Sequence, residues 1–242
     1  MGGHGDNPAG IRRASGQRRC ARSRSRGGGG LAGVAIRPRG SLGAKGFRLL
    51  RSGILWGVEH VALTRLEAGI DAIRGAPSDG GRVELIVRRP QRDSREVISE
   101  ATLDAHTGLV GDSWAERGSG ATADGSAHPD TQITLMNARS ARVIAGDQER
   151  WPLAGDQFYV DLDLSAANLP PGTQLQIGSA VLEVTAVPHR GCGKFSQRFG
   201  VDAVKFVNSA VGRELNLRGV NARIVRGGTV RTGDRIDKRL VQ

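Results

Sequence analysis

The chain has 242 residues and only two cysteines, Cys20 and Cys192. They fall in segments of unlike character, so no disulfide framework is expected. A reducing compartment, the cytoplasm, fits this usage. No run of about 18 apolar residues occurs, so no transmembrane helix and no membrane partner are expected. HExxH, paired CxxC and P-loop motifs are all missing. There is no repeated strand–helix alternation and no Gly-rich fingerprint at a strand–helix junction, which excludes a dinucleotide-binding fold.

Acidic residues are nearly absent from positions 1–50, which hold one against eleven Lys and Arg. Residues 51–242 carry 24 basic and 23 acidic side chains. The formal charge of +11 therefore belongs to the N-terminal segment. A compact nucleic-acid binder carries its basic patch on folded surface, so nucleic acid is not the expected partner. The segment is rich in Gly, Arg and Ser and has too little apolar content to offset chain entropy, so a disordered tail is expected. It reads as a plain extension, an upstream stretch wrongly included in the frame, a transit peptide or a nucleic-acid-binding arm.

From about residue 54 the texture changes. The expected division is a tail at 1–50, a helix-and-strand extension at 51–94 and a domain at 95–240. Thr64-Arg65-Leu66-Glu67 has the form of a capping box before a helix carrying Leu66, Ile70 and Ile73. Arg82 to Arg89 alternates with period two and ends at Pro90, predicting a strand with one buried face. Another short strand is expected at 95–103, and a loop at 106–113. Residues 117–130 read as a flexible surface loop carrying His128, which is expected in solvent. Thr131 to Leu135 reads as a strand, and Asn137 as the cap of a helix from Ala138 to about Ala145.

Gly155-Asp156-Gln157 reads as a turn, followed by a strand over 158–164. Gln174 to Ile177 and Ala180 to Val187 form a hairpin through Gly178-Ser179. Residues 196–209 are expected to be one helix. Val220 to Val225 should turn at Gly227-Gly228 into a returning strand at 229–231, and Gly233-Asp234 should turn into the tail. Many short strands with Gly and Pro turns predict a β-rich, mixed β/α barrel-like domain with a few peripheral helices.

The centre of interest is Val187-Pro188-His189-Arg190-Gly191-Cys192-Gly193-Lys194-Phe195. Cysteine flanked by two glycines and three basic or titratable groups is unlike a core segment. Positive neighbours favour the thiolate, which is both nucleophile and metal ligand. Cys192 therefore reads as a nucleophile or sulfur carrier, as a soft-metal ligand, or as a small core residue. His189 is the candidate proton-transfer group. Arg190 and Lys194 either hold an anionic ligand or are simply solvated. Asp112 and Asp156 each follow a glycine and read first as turn formers.

The stretch from Leu153 to Arg231 resembles the MOSC domain, the C-terminal domain type of molybdenum-cofactor sulfurases. The resemblance rests on Gly155-Asp156-Gln157, Asp163-Leu164-Ser165, Leu169-Pro170-Pro171-Gly172-Thr173 and Ile177-Gly178. It continues through Val181 to Thr185, the Cys192 turn, Arg198-Phe199-Gly200 and Gly233-Asp234. Gly111-Asp112 and Gln132 to Leu135 extend it to about residue 95. It implies a barrel-like fold and a thiol, Cys192, that carries sulfur or ligates the molybdenum of a molybdopterin-type cofactor. Pyridoxal phosphate is a further implied cofactor, although nothing marks Lys194 as a Schiff-base lysine. Implied partners are the pterin cofactor, a small sulfur-bearing or N-hydroxylated substrate, and a sulfur donor protein in trans, since no aminotransferase-like sulfurase domain is present.

The activity implied is a molybdenum-cofactor-dependent reductase or a sulfur transferase. On this reading Cys192 and His189 do the chemistry, and Arg190, Lys194, Asp156 and Gln157 hold the cofactor. The family often has Gly-Glu-Asn at 155–157 and Pro at 191, where this chain has Asp, Gln and Gly. A non-catalytic β-barrel binding module with a structural cysteine is the alternative.

Overall fold

Seven strands close into a barrel in the computed structural model, which describes residues 60–239. The expected tail at 1–50, with Cys20, lies outside the described residues. The barrel strands are β1 (Gly81–Arg88), β5 (Ile133–Asn137), β6 (Phe158–Asp161), β7 (Gln174–Ile177), β8 (Ala180–Val184), β9 (Val220–Arg226) and β11 (Arg235–Arg239). Their order is β11-β7-β8-β9-β5-β6-β1, and β1 pairs back onto β11 through Gly81↔Ile236. Only β5 and β6 run parallel. β2 (Glu96–Ile98) extends the far end of β1. A separate three-stranded sheet combines β3 (Glu100–Asp104), β4 (Gly108–Leu109) and β10 (Gly228–Arg231). The helices are α1 (Leu63–Glu67), α2 (Ile70–Arg74), α3 (Trp114–Arg117), α4 (Ala138–Ala145), α5 (Gly193–Phe199), α6 (Val201–Asn208) and α7 (Ala210–Glu214).

Two apolar clusters explain the strand patterns. Ile86, Leu135, Phe158, Val160, Leu182 and Ile236 fill the barrel. Leu85, Val87, Met136 and Tyr159 point the other way and pack with Trp151, Phe195, Phe199 and Phe206 of the helical layer. Each such large side chain contributes about 1.5–3 kcal/mol on burial. β7 alternates because one face stays accessible. β1 was expected to have one buried face, yet Leu85, Ile86 and Val87 are all buried, because the helical layer covers the barrel's outside there. β6 is buried on both faces for the same reason.

Asn137 caps α4 as expected, with Oδ1 accepting from Arg139 N (2.8 Å) and Ser140 N (3.1 Å). The Gly178-Ser179 hairpin also forms. Other expectations need correction. The Thr64 capping box does not form: the cap is Ala62, two residues earlier, and Asp202 of α6 accepts from Leu63 N (3.2 Å) instead. The helix is interrupted, and Ile70 and Ile73 belong to α2.

The single helix expected at 196–209 is two helices divided at Gly200. Its φ of +90° is a conformation that only glycine adopts without strain. Residues 95–103 are two strands broken at Ser99, and the 106–113 loop contains β4. A 3₁₀ turn at Pro129–Thr131 precedes β5. There half-buried His128 accepts from Asp130 N through Nδ1 (3.2 Å) instead of standing in solvent.

The chain after Gly227 does not return along β9. β10 pairs with β3, Val230 opposite Ala101. Gly228 passes so close to Ser179 and Ala180 that a Cβ would sit 2.5 Å from Ser179 Oγ. Finally, 235–239 is a barrel strand and not a tail, with Ile236 as its buried anchor.

Candidate functional site

Cys192 ends the segment that leaves β8 and is the N-cap residue of α5, with extended backbone (φ −119°, ψ 179°). Its carbonyl accepts from Ser196 N (2.9 Å), and its thiol is free and exposed. Partial burial pushes the thiol pKa up. The backbone N–H groups of Phe195 and Lys194, then the Arg218 guanidinium, outweigh this, and the net shift is downward. The sulfur closes no capping hydrogen bond of ordinary geometry, so nearby donors act through their field. A thiol with this bias is more ionised at neutral pH than a free cysteine.

The turn before it is held from α6. Asn208 Nδ2 donates to Gly191 O (3.0 Å), and Gly191 N donates to Asn208 Oδ1 (3.1 Å). A Cβ at Gly191 would lie 2.7 Å from Val207 Cγ2. Gly191 thus lets the chain lie flat against α6, while a Cβ at Gly193 would meet nothing within 4 Å.

Behind this turn is a buried polar cluster. Asp156 is fully buried and follows Gly155, whose φ is +95°. Arg218 Nη1 donates to Asp156 Oδ2 (2.5 Å), and Arg218 Nη2 donates to Ala154 O (2.8 Å). The guanidinium stacks 5.0 Å from the Phe195 ring. His189 Nδ1 lies 3.5 Å from Asp156 Oδ1, and neither atom has a hydrogen-bond partner. Burial, then the Arg218 charge, push the His189 pKa down to about 3. The ring is therefore neutral at pH 7 and a weak base, resisting protonation until about pH 3.

The other residues singled out from the sequence are dispersed around this centre. Arg190 is exposed. Lys194 Nζ reaches Asp93 Oδ1 at 3.6 Å. Gln157 lies beneath the site: its Oε1 accepts from Thr134 N (2.9 Å) and Thr134 Oγ1 (2.6 Å), and its Nε2 donates to Gln132 O (3.1 Å). Asp112 does form its turn, accepting from Trp114 N (3.0 Å). It also holds Arg89, accepting from Nε (2.8 Å), Nη2 (3.0 Å) and N (2.9 Å). Arg218 was not singled out from the sequence; its signal was a lone charge just before an apolar strand. Arg88-Arg89, before Pro90, read either as an anion binder or, more commonly, as a charged strand end; the structure buries Arg89 against Asp112.

The structure is thus a closed β-barrel presenting a thiol at a helix start, above a buried Arg–Asp pair. The MOSC domain matches residues 122–237, a span that includes Asp156, His189, Cys192 and Arg218. The resemblance to the MOSC domain is thus shown for residues 122–237. No curated protein matches it. Among solved structures it is similar to the YUAD protein from Bacillus subtilis, at 17% identity, covering 67% of this chain and 97% of that one, with a TM-score of 0.47. It is also similar to YiiM from Escherichia coli, at 17% identity over 66% and 71% of the two chains, TM-score 0.45. YiiM from Geobacillus stearothermophilus gives 11% identity over 66% and 75%, TM-score 0.46.

The origin of the thiol bias is testable. Alkylation of Cys192 by iodoacetamide, followed against pH, is expected to reach half-maximal rate below the pH required by free cysteine. Lys194→Ala and Arg190→Ala should leave that midpoint in place, because the backbone N–H at 194 and Arg218 carry the bias. A large upward move in either variant would return the role to the flanking side chains.

Proposed function

We propose that this protein uses the Cys192 thiolate either as a sulfur carrier or as the one protein ligand to the molybdenum of a molybdopterin-type cofactor. The observation that carries the proposal is the exposed, low-pKa thiol at the start of α5. Among the described residues no group of three or more His, Cys, Asp or Glu side chains converges to hold a bare metal ion. A single thiolate suits a soft metal that brings its other donors with it. Cys192 would supply that thiolate, and Lys194 and Arg190 would meet anionic oxygens of the pterin part. Such a cofactor, when bound, would supply molybdenum redox chemistry, as in reduction of a small N-hydroxylated substrate.

As a sulfur carrier, Cys192 would attack the outer sulfur of a persulfide on a donor protein in trans. The Cys192 S–S bond forms, the donor's S–S bond breaks, and the electron pair leaves on the donor thiolate. His189 would stay neutral and leave the thiol's proton to solvent, because burial and Arg218 keep the ring from protonating above about pH 3. Asp156 would position His189, and Gln157 would act only through β5. Lys194 is exposed and faces Asp93, which is unlike the desolvated lysine that pyridoxal phosphate needs. A free thiol fits a reducing, cytoplasmic setting. Among the described residues no helix is long and apolar enough to cross a membrane.

Cys192→Ser tests the proposal. Parent protein is expected to accept cyanide-labile sulfur from a persulfide donor, or to purify with molybdenum and pterin. The variant should lose essentially all of both while unfolding at the parent's denaturant concentration, because the thiol is exposed. Equal loading of the two proteins would favour the binding-module reading.

A further inference from the structure

We propose that a cavity under α2 and α4, built without any residue of the cysteine turn, binds a small zwitterion: an α-amino acid with an aliphatic side chain. Two openings, of about 290 and 440 Å³, share Glu84 and Arg142 as lining residues. That size suits a small molecule. Ala72, Ala138 and Val143 give the smaller opening an apolar wall, and Trp151 lines the larger one.

Glu84 is placed there by a β-bulge. Val160 and Tyr159 are consecutive on β6, but their partners on β1 are Val83 and Leu85. Glu84 is the extra residue, and a bulge of this kind re-aims a side chain. Val83 turns into the barrel and Leu85 into the helical layer, which leaves Glu84 half-buried at the cavity wall. Its backbone carbonyl accepts from Gln148 Nε2 (3.4 Å). Its carboxylate has no ion pair and no hydrogen bond among the described residues. A half-buried carboxylate without a donor is costly, and an ammonium group supplies that donor.

Arg142 brings the opposite charge. Its guanidinium lies 5.8 Å from the centroid of the Trp151 ring, and it too forms no ion pair or side-chain hydrogen bond among the described residues. Glu84 and Arg142 thus line the same space without pairing with each other. A ligand carrying an ammonium and a carboxylate satisfies both, since a guanidinium fork matches a carboxylate. The other charges at the wall are already engaged. Arg139 donates to Asp161 through Nε (2.7 Å) and Nη2 (3.2 Å). Its Nη1 donates to Ala72 O (3.2 Å), which ties α2 to α4 above the cavity. Gly69 keeps the two helices close, because a Cβ there would lie 2.6 Å from Val143 Cγ2. Exposed Asp147 lines the larger opening and adds a second carboxylate, which favours a ligand with an amine over a simple acid.

The test is titration of the full chain with L-leucine and L-methionine at low salt, by calorimetry or ligand-observed NMR. Saturable binding of at least one is expected. Isopentylamine, which is leucine without its carboxylate, and isocaproate, which is leucine without its ammonium, should each bind about tenfold more weakly than L-leucine, the worth of one charge-assisted hydrogen bond. Glu84→Gln and Arg142→Gln remove one charge each and should weaken the amino acid by about the same factor. Ala72→Leu, at an exposed helix position, fills the cavity and should abolish binding while the protein unfolds at the parent's urea concentration. No saturation with either amino acid, isopentylamine or isocaproate binding as tightly as L-leucine, or equal affinity in the parent and all three variants would overturn the proposal. The titration is blind to sulfur and molybdenum loading, so its failure and a failure of the Cys192 reading are separate results.

Discussion

Arg218→Met is expected to lower the free energy of unfolding by about 3–5 kcal/mol at pH 7, the usual cost of removing one partner of a buried ion pair. The pair is buried on both sides, and Asp156 Oδ1 already lacks a hydrogen bond. Without Arg218, Asp156 keeps only the neutral His189 ring, 3.5 Å away. Unfolding in urea at pH 7 and pH 5 checks the number and its cause. In the parent, unfolded His189 takes up a proton near pH 6.5 while folded His189 resists until about pH 3. The unfolded state thus binds more protons in that window, and stability falls as pH drops from 6.5 toward 3. Losing Arg218 removes a charge that holds the His189 pKa down, so the variant should suffer less of this acid loss. The gap between parent and variant should therefore narrow at pH 5.

Replacing both partners, as in Asp156→Leu with Arg218→Met, should recover much of the loss, since an apolar pair needs no compensating charge. A single Arg218→Met variant as stable as the parent at pH 7 would show that the pair does not hold the site. The thiol reports the same change. Arg218 helps to lower the Cys192 pKa, so Cys192 alkylation should shift to higher pH in the folded variant.

Local structure was legible wherever a local rule governs. Asn137 caps α4 because its side chain reaches two adjacent N–H groups. Gly178-Ser179 forms a hairpin because its strands are neighbours in sequence. Cys192 was legible because glycines and basic residues around a thiol are unlike core sequence, and the MOSC resemblance carried it further. Long-range pairing was not legible. Gly227-Gly228 looks like a return turn, yet β10 continues to β3, more than a hundred residues upstream. Arg235 to Arg239 has a single apolar core residue, Ile236, so nothing local announces the strand that closes the barrel. Arg190 and Lys194 looked like the thiol's charged partners by proximity in sequence. The guanidinium that acts on it comes instead from Arg218, in the connection between α7 and β9.

Asp112→Ala should be comparably costly, about 3–5 kcal/mol, because it strips the carboxylate from buried Arg89. It also removes the acceptor for Trp114 N and so loosens the start of α3. Asp112→Asn, which keeps one oxygen and part of the turn, should lose less. Asp112→Ala leaves buried Arg89 and neighbouring Arg117, 3.9 Å from the same carboxylate, short of negative charge. Unfolding in urea at pH 7 checks the order: the parent most stable, Asp112→Asn next, Asp112→Ala last. An Asp112→Ala variant as stable as the parent would show that the buried pair does not hold the end of β1.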